Sequence, residues 1–178
     1  MIWQVLDFWF KELAPEQWWL KDQQLDQTIA ARFGLFHQAA IQGECQPWRV
    51  NAEGRLAEII ILDQFSRNLY RDQPKAFSSD LAALLLAQEA VSLNIHDQLS
   101  VTQQAFLFMP AMHSESTWVH QQAVEWFSAP GLEKNLAFEL QHKAIIDRFG
   151  RYPHRNAILG RTSTQAEIDF LATPGSSF

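Results

Sequence analysis

One cysteine, Cys45, stands in 178 residues, so no disulfide can close within the chain. None is required, because a chain of this length buries about 70% of its unfolded surface without covalent staples. Cysteine usage of this kind belongs to a reducing compartment, and the expected location is the cytoplasm. The seven glycines are scattered and form neither GxGxxG nor GxxxxGK, which removes the standard phosphate-cradling loops. There is no GxSxG elbow for an activated serine and no HExxH pair for a catalytic zinc. Positive charge is scarce as well. The formal net charge is −6, and a nucleic-acid surface needs a broad basic footprint, so no nucleic-acid partner is expected. Long apolar runs are missing. The opening MIWQVLDFWFKEL is short and carries Asp7, reading as a docked helix and not as a signal peptide or membrane span.

What is present is helical periodicity, with almost no strand-like alternation. Ile2, Leu6, Trp9, Phe10 and Leu13 share a stripe before Pro15 breaks it. Asp22 is placed to cap a helix over 22–42, with Gly43 as its left-handed stop. Asn51 caps a third helix through EIIILDQF, apolar on more than one face and therefore central, ending near Arg71. Residues 80–94 form another helix with Asn94 as its stop. Ser100 opens TQQAFLFM, which Pro110 is expected to interrupt, and Ser114 or Ser116 opens the next. A helix over 133–149 should end at Gly150, a short one should run from His154 to Leu159, and Thr164 with Glu167 forms a capping box for the last. The seven tryptophans read most simply as core and helix-packing residues, with Trp48 on a loop able to line a cleft. The expectation is an all-α single domain over residues 1–178, eight or nine helices in antiparallel pairs, with no repeat of fixed period.

Arginine is unevenly spread. Of nine arginines, Arg67, Arg71, Arg148, Arg151, Arg155 and Arg161 fall in two stretches that the five lysines mostly avoid. A guanidinium fork matches carboxylate or phosphate in a way that a lysine point charge does not, so the segregation marks a candidate anion site. In the first stretch Asp63, Arg67 and Arg71 recur every four residues, with Gln64 and Asn68 one step around the helix. In the second, Arg148, Arg151, His154, Arg155, Asn156 and Arg161 follow His142, and a helix start after Pro153 would add backbone N–H donors. A third stretch, MPAMHSES, supplies His113 and Glu115. His113, His142 and His154 are the candidates for moving a proton. His113, Glu115, His120 and His142 lack metal-ligand spacing, so neither a metal nor another cofactor is expected.

The blocks LDQFSRNLYR, PKAFSSD, FLFMPAMHSES, RFGRYPHRNAILGRTST and PGSSF, in this order, resemble the bacterial domain of unknown function 924 family across essentially the whole chain. The resemblance implies an all-helical, tetratricopeptide-like architecture and no established activity. It differs from the family pattern at Met112, where an acid often precedes the histidine, and at Gln165, where a proline often opens the last helix.

Two functional readings follow. Either the arginines and histidines line a pocket for a small anion, phosphate or carboxylate, with any reaction unspecified, or helical pairs form a groove gripping an acidic or C-terminal peptide. A third possibility is that these blocks only lock helix ends together. No membrane partner is expected, and the oligomeric state stays open.

Overall fold

The computed structural model describes residues 1–176; Ser177 and Phe178, the end of the PGSSF block, lie outside the described residues. The described residues contain helices and turns and no strand. The α-helical segments are α1 (Ile2–Asp7), α2 (Gln23–Ile41), α3 (Ala52–Ile60), α4 (Ser66–Leu69), α5 (Asp80–Ser92), α6 (Val101–Met112), α7 (Thr117–Phe127), α8 (Glu133–Phe149) and α9 (Gln165–Leu171). Their packing divides into two compact units, one of residues 1–71 and 75–110, the other of 72–74 and 111 onward.

The caps set most boundaries. Asp22 accepts hydrogen bonds from the N–H groups of Gln24 and Leu25 at the start of α2, and Gly43 beyond its end has φ 79°. Asn51 accepts from Gly54 N at 2.8 Å. Ser116, and not Ser114, caps α7 through Val119 N. Gly150 closes α8 at φ 69°, and Thr164 with Glu167 forms the reciprocal box of α9.

Three local expectations change. Pro110 does not interrupt α6, which continues to Met112, because a proline costs its helix a hydrogen bond to the preceding turn and α6 ends within two residues of it. The helix expected over His154–Leu159 is a 3-10 turn of three residues, Pro153–Arg155. Between α3 and α4, Ile61–Phe65 runs as a π turn whose five residues are all buried. The wider turn resets the phase of α4 relative to α3 and makes one continuous rod of the three pieces.

In the first unit that rod is the centre, packed against α1, α2 and α5. Its core is aromatic: Phe33 lies 4.9 Å from Phe8 and 5.0 Å from Phe65 between ring centroids, and Trp9 lies 5.6 Å from both Phe65 and Phe106. Offset and edge-on pairs of this kind contribute about 0.5–1.5 kcal/mol each beyond their buried area. Trp9 is fully buried, but Trp3, Trp19 and Trp118 are more than half exposed, so the tryptophans are not uniformly core residues. Gly54 is where α3 meets the 3-10 turn Gln46–Val50: a Cβ there would sit 1.8 Å from the Trp48 carbonyl oxygen.

In the second unit α7 and α8 pack closely across the turn 128–132. Ile145, Ile146 and Tyr152 form a smaller core with Phe149 and Phe170 against it.

Candidate functional site

In the first unit the stripe Asp63–Arg67–Arg71 does share one side of the rod, and its charges meet acids of the same unit. Arg67 Nη1 lies 3.1 Å from the fully buried Asp63 carboxylate, donates to the Asp63 carbonyl at 2.7 Å, and forms a fork onto Asp80 at 3.0 and 3.1 Å. Arg71 grips Asp26 through Nε and Nη2 at 2.6 and 2.7 Å, and Asn68 donates to the same carboxylate at 2.8 Å. Gln64 donates to Asp63 at 2.6 Å. The acids that complete this network, Asp26 and Asp80, lie 45 and 13 residues from their arginines. Sequence spacing offered no route to either.

The second unit brings the other two blocks together. Glu115 accepts Arg161 Nη1 and Nη2 at 2.7 and 2.9 Å and the Tyr152 backbone N–H at 2.8 Å. It therefore clasps the segment before α7 to the turn after α8, and does not sit in the first turn of a helix. Burial would push its carboxyl up, but the Arg161 fork, the Tyr152 N–H and the charge of Arg155 overcome that and hold it below the ordinary carboxylate value. Arg161 also donates to Asn156 Oδ1 at 2.9 Å, and Asn156 donates to Ser163 at 3.1 Å.

Arg151 forms its fork with Glu167 at 2.6 and 2.8 Å and donates to the Thr162 carbonyl. With Thr164 N–H added, Arg151 holds the Glu167 carboxyl far below its ordinary value. Asp147 pairs with Lys143, not with an arginine. Arg148 lies over the Phe149 ring at 4.6 Å, and the buried Arg155 over the Tyr152 ring at 4.6 Å.

Tyr152 is the hub. Its ring centroid lies 5.4 Å from His154, 5.8 Å from His142 and 6.3 Å from His120. Its hydroxyl donates to the Met112 carbonyl at 2.5 Å. His120, fully buried, meets Glu139 at 2.6 Å through Nδ1 and donates from Nε2 to the Ser114 carbonyl at 2.9 Å. With Nε2 protonated, the Nδ1–carboxyl contact shares one further proton, and burial pushes the Glu139 carboxyl up. His142 donates from Nδ1 to the Phe138 carbonyl at 2.8 Å, which leaves the lone pair of its neutral ring on Nε2.

Burial pushes His142 down to about 3, assisted by the nearby charges of His113, His120 and His154. Burial and Arg155 push His154 down to about 4. At neutral pH both rings are uncharged and able to donate or accept hydrogen bonds. His113 belongs to the same neighbourhood, since its charge acts on both. Among the described residues no group of three or more His, Cys, Asp or Glu is arranged to hold a metal ion. No described helix is long and apolar enough to cross a membrane.

Sequence reasoning missed His120 with Glu139, and Tyr152 as the hub. In the sequence His120 stands out only as a metal-ligand type, and the signal for its partner is Glu139, one turn before His142 on α8.

A family model described as bacterial protein of unknown function (DUF924) matches residues 5–175. The structure is also similar to that of a protein of unknown function, ATU0120, from Agrobacterium tumefaciens: TM-score 0.91, 33% identity, 96% of each chain covered. No curated protein matches.

Proposed function

We propose that this chain, which belongs to the bacterial DUF924 family of proteins of unknown function, binds a small anion, a carboxylate or phosphate, in its second unit beside Tyr152. The observation that carries this reading is convergence: two guanidinium groups, Arg155 and Arg161, act on the Glu115 carboxylate, and Arg155, His142 and His154 all lie against the Tyr152 ring. An anion entering beside them gains a charged hydrogen bond of about 1.5–3 kcal/mol from arginine. His113 and His154, both half-buried, form the more open edge, and neutral His154 can donate or accept without opposing the charge. His142 Nε2 can accept a hydrogen bond from the bound molecule, and no reaction is assigned. Arg67, Arg71 and Arg151 enter this reading as scaffold, each gripping a carboxylate within its own unit.

The test is a thermal-shift and calorimetric titration with inorganic phosphate and with small mono- and dicarboxylates. The intact protein should gain stability by mass action, and Arg155→Lys and His154→Gln should each weaken binding about tenfold or more at a temperature where calorimetry shows the variant folded. Anion binding that survives both substitutions, or no binding of any of these anions by the intact protein, overturns the assignment.

A further inference from the structure

In the first unit a cleft of about 410 Å³ opens between the end of α2, the turn carrying Arg49, the side of α3 and the start of α5. Its size falls within the range of small-molecule sites. Most of its wall is aliphatic, from residues such as Ile41, Leu62, Leu85 and Leu86. Four polar residues interrupt that wall: Arg49, Glu58, Ser79, and Ser78, whose hydroxyl donates to the Lys75 carbonyl.

Arg49 is fixed by its partner. Nε and Nη2 each donate to the Glu58 carboxylate at 2.7 Å, and Glu58 is fully buried, so the guanidinium plane cannot swing away without leaving a buried charge alone. Both donors facing Glu58 are used. Nη1 makes no hydrogen bond to any described residue and keeps its two donors.

Ser79 is the second feature. It is the residue before the thirteen-residue helix α5, yet its side chain does not cap that helix. Ser79 is only 5% exposed, it lines the cleft, and its hydroxyl has no hydrogen-bond partner among the described residues. An unpaired hydroxyl on the wall of the cleft is a donor and an acceptor that a molecule in the cleft can use. The first turn of α5 is left without a side-chain cap beside it, adding N–H groups and the positive end of the helix dipole. The acids closest to this end are already answered: Glu58 by Arg49, and Asp80 by the Arg67 fork. What the cleft lacks is a single negatively charged acceptor backed by an apolar body.

We infer that the cleft is a second binding site, taking a small monocarboxylate with a short aliphatic body: the carboxylate meets Arg49 Nη1, the Ser79 hydroxyl and the start of α5, and the hydrocarbon part lies on Leu85 and Leu86. This site is separate from the one proposed beside Tyr152 and does not depend on it.

The experiment titrates 3-methylbutanoate into the full chain by calorimetry, alongside 3-methylbutanamide, which keeps the body and loses the charge. The intact protein should bind the acid at least fivefold more tightly than the amide. Ser79→Ala should weaken binding of the acid about fivefold or more, and Ala82→Leu, which fills the cleft from an exposed helical position with a good helix former, should abolish it. Both variants should melt within a few degrees of the parent. Arg155→Lys should leave the titration unchanged. The inference falls if the intact protein does not bind 3-methylbutanoate at millimolar concentration, if acid and amide bind alike, if the Ser79 and Ala82 variants bind as the parent does, or if Arg155→Lys alone removes the binding.

Discussion

Arg161 shows what a guanidinium does here that lysine could not. It delivers two parallel donors to Glu115, one more to Asn156 and a longer contact at 3.2 Å to the Tyr152 carbonyl, so one side chain ties three segments of the second unit together. Lysine has the charge without the fork and cannot reach these acceptors at once. Arg161→Lys should therefore lose about 1–2 kcal/mol of folding stability in chemical denaturation, the scale of a partly shielded charged hydrogen bond. A loss below the error of that measurement would mean that Glu115 is held by the Tyr152 N–H alone. Arginine clustering was legible residue by residue. The identity of the acids was not, because Arg71 meets Asp26 and Arg161 meets Glu115 across 45 and 46 residues, and nothing in linear spacing reports such pairs.

Among the elements, boundaries follow capping chemistry that is local and therefore readable: Asp22, Asn51, Ser116, Thr164 and Gly150 act within a turn of their own positions. The π turn over Ile61–Phe65 is a different matter. The run EIIILDQF is apolar on more than one face, so its hydrophobic pattern gives too weak a phase for an extra residue to be detected. Packing of the rod against α1, α2 and α5 supplies the phase instead. One close backbone approach in that assembly is at Gly54, where a methyl group would meet the Trp48 carbonyl oxygen at 1.8 Å and its carbon at 2.7 Å, both backbone atoms. Gly54→Ala should cost about 3 kcal/mol or more despite the better helix propensity of alanine, measurable as a fall in the denaturation midpoint. A stabilised Gly54→Ala protein would show that the 46–50 turn yields to α3.

For the molecule as a whole, acid should act through buried histidines. His142 and His154 titrate near 6.5 in an unfolded chain and near 3 and 4 in the folded protein. Between those values the unfolded state holds more protons, so stability is complete above pH 6.5 and falls as pH drops below it, by about 1.4 kcal/mol per pH unit for each histidine. His37, buried against Ser66 and pushed down in the same direction, adds to the fall, whereas Glu139, raised by burial, opposes part of it just above its ordinary value of 4.5. Denaturation curves at pH 7.5, 6 and 5 should show declining midpoints, and His142→Asn, which keeps a donor for the Phe138 carbonyl, should flatten the decline. Midpoints independent of pH across that range would place the histidines in solvent.

The sequence alone determined that this chain is helical, where most helices begin and end, which family it resembles and which residues concentrate charge, because capping, periodicity and composition act over a few neighbouring positions. Only the tertiary structure decided which acid answers each arginine, that Tyr152 gathers His120, His142 and His154, and that Ser79 and Arg49 share one cleft. Those pairings depend on how far burial removes each group from water and on which distant segment then supplies its partner, and neither quantity exists until the helices have packed.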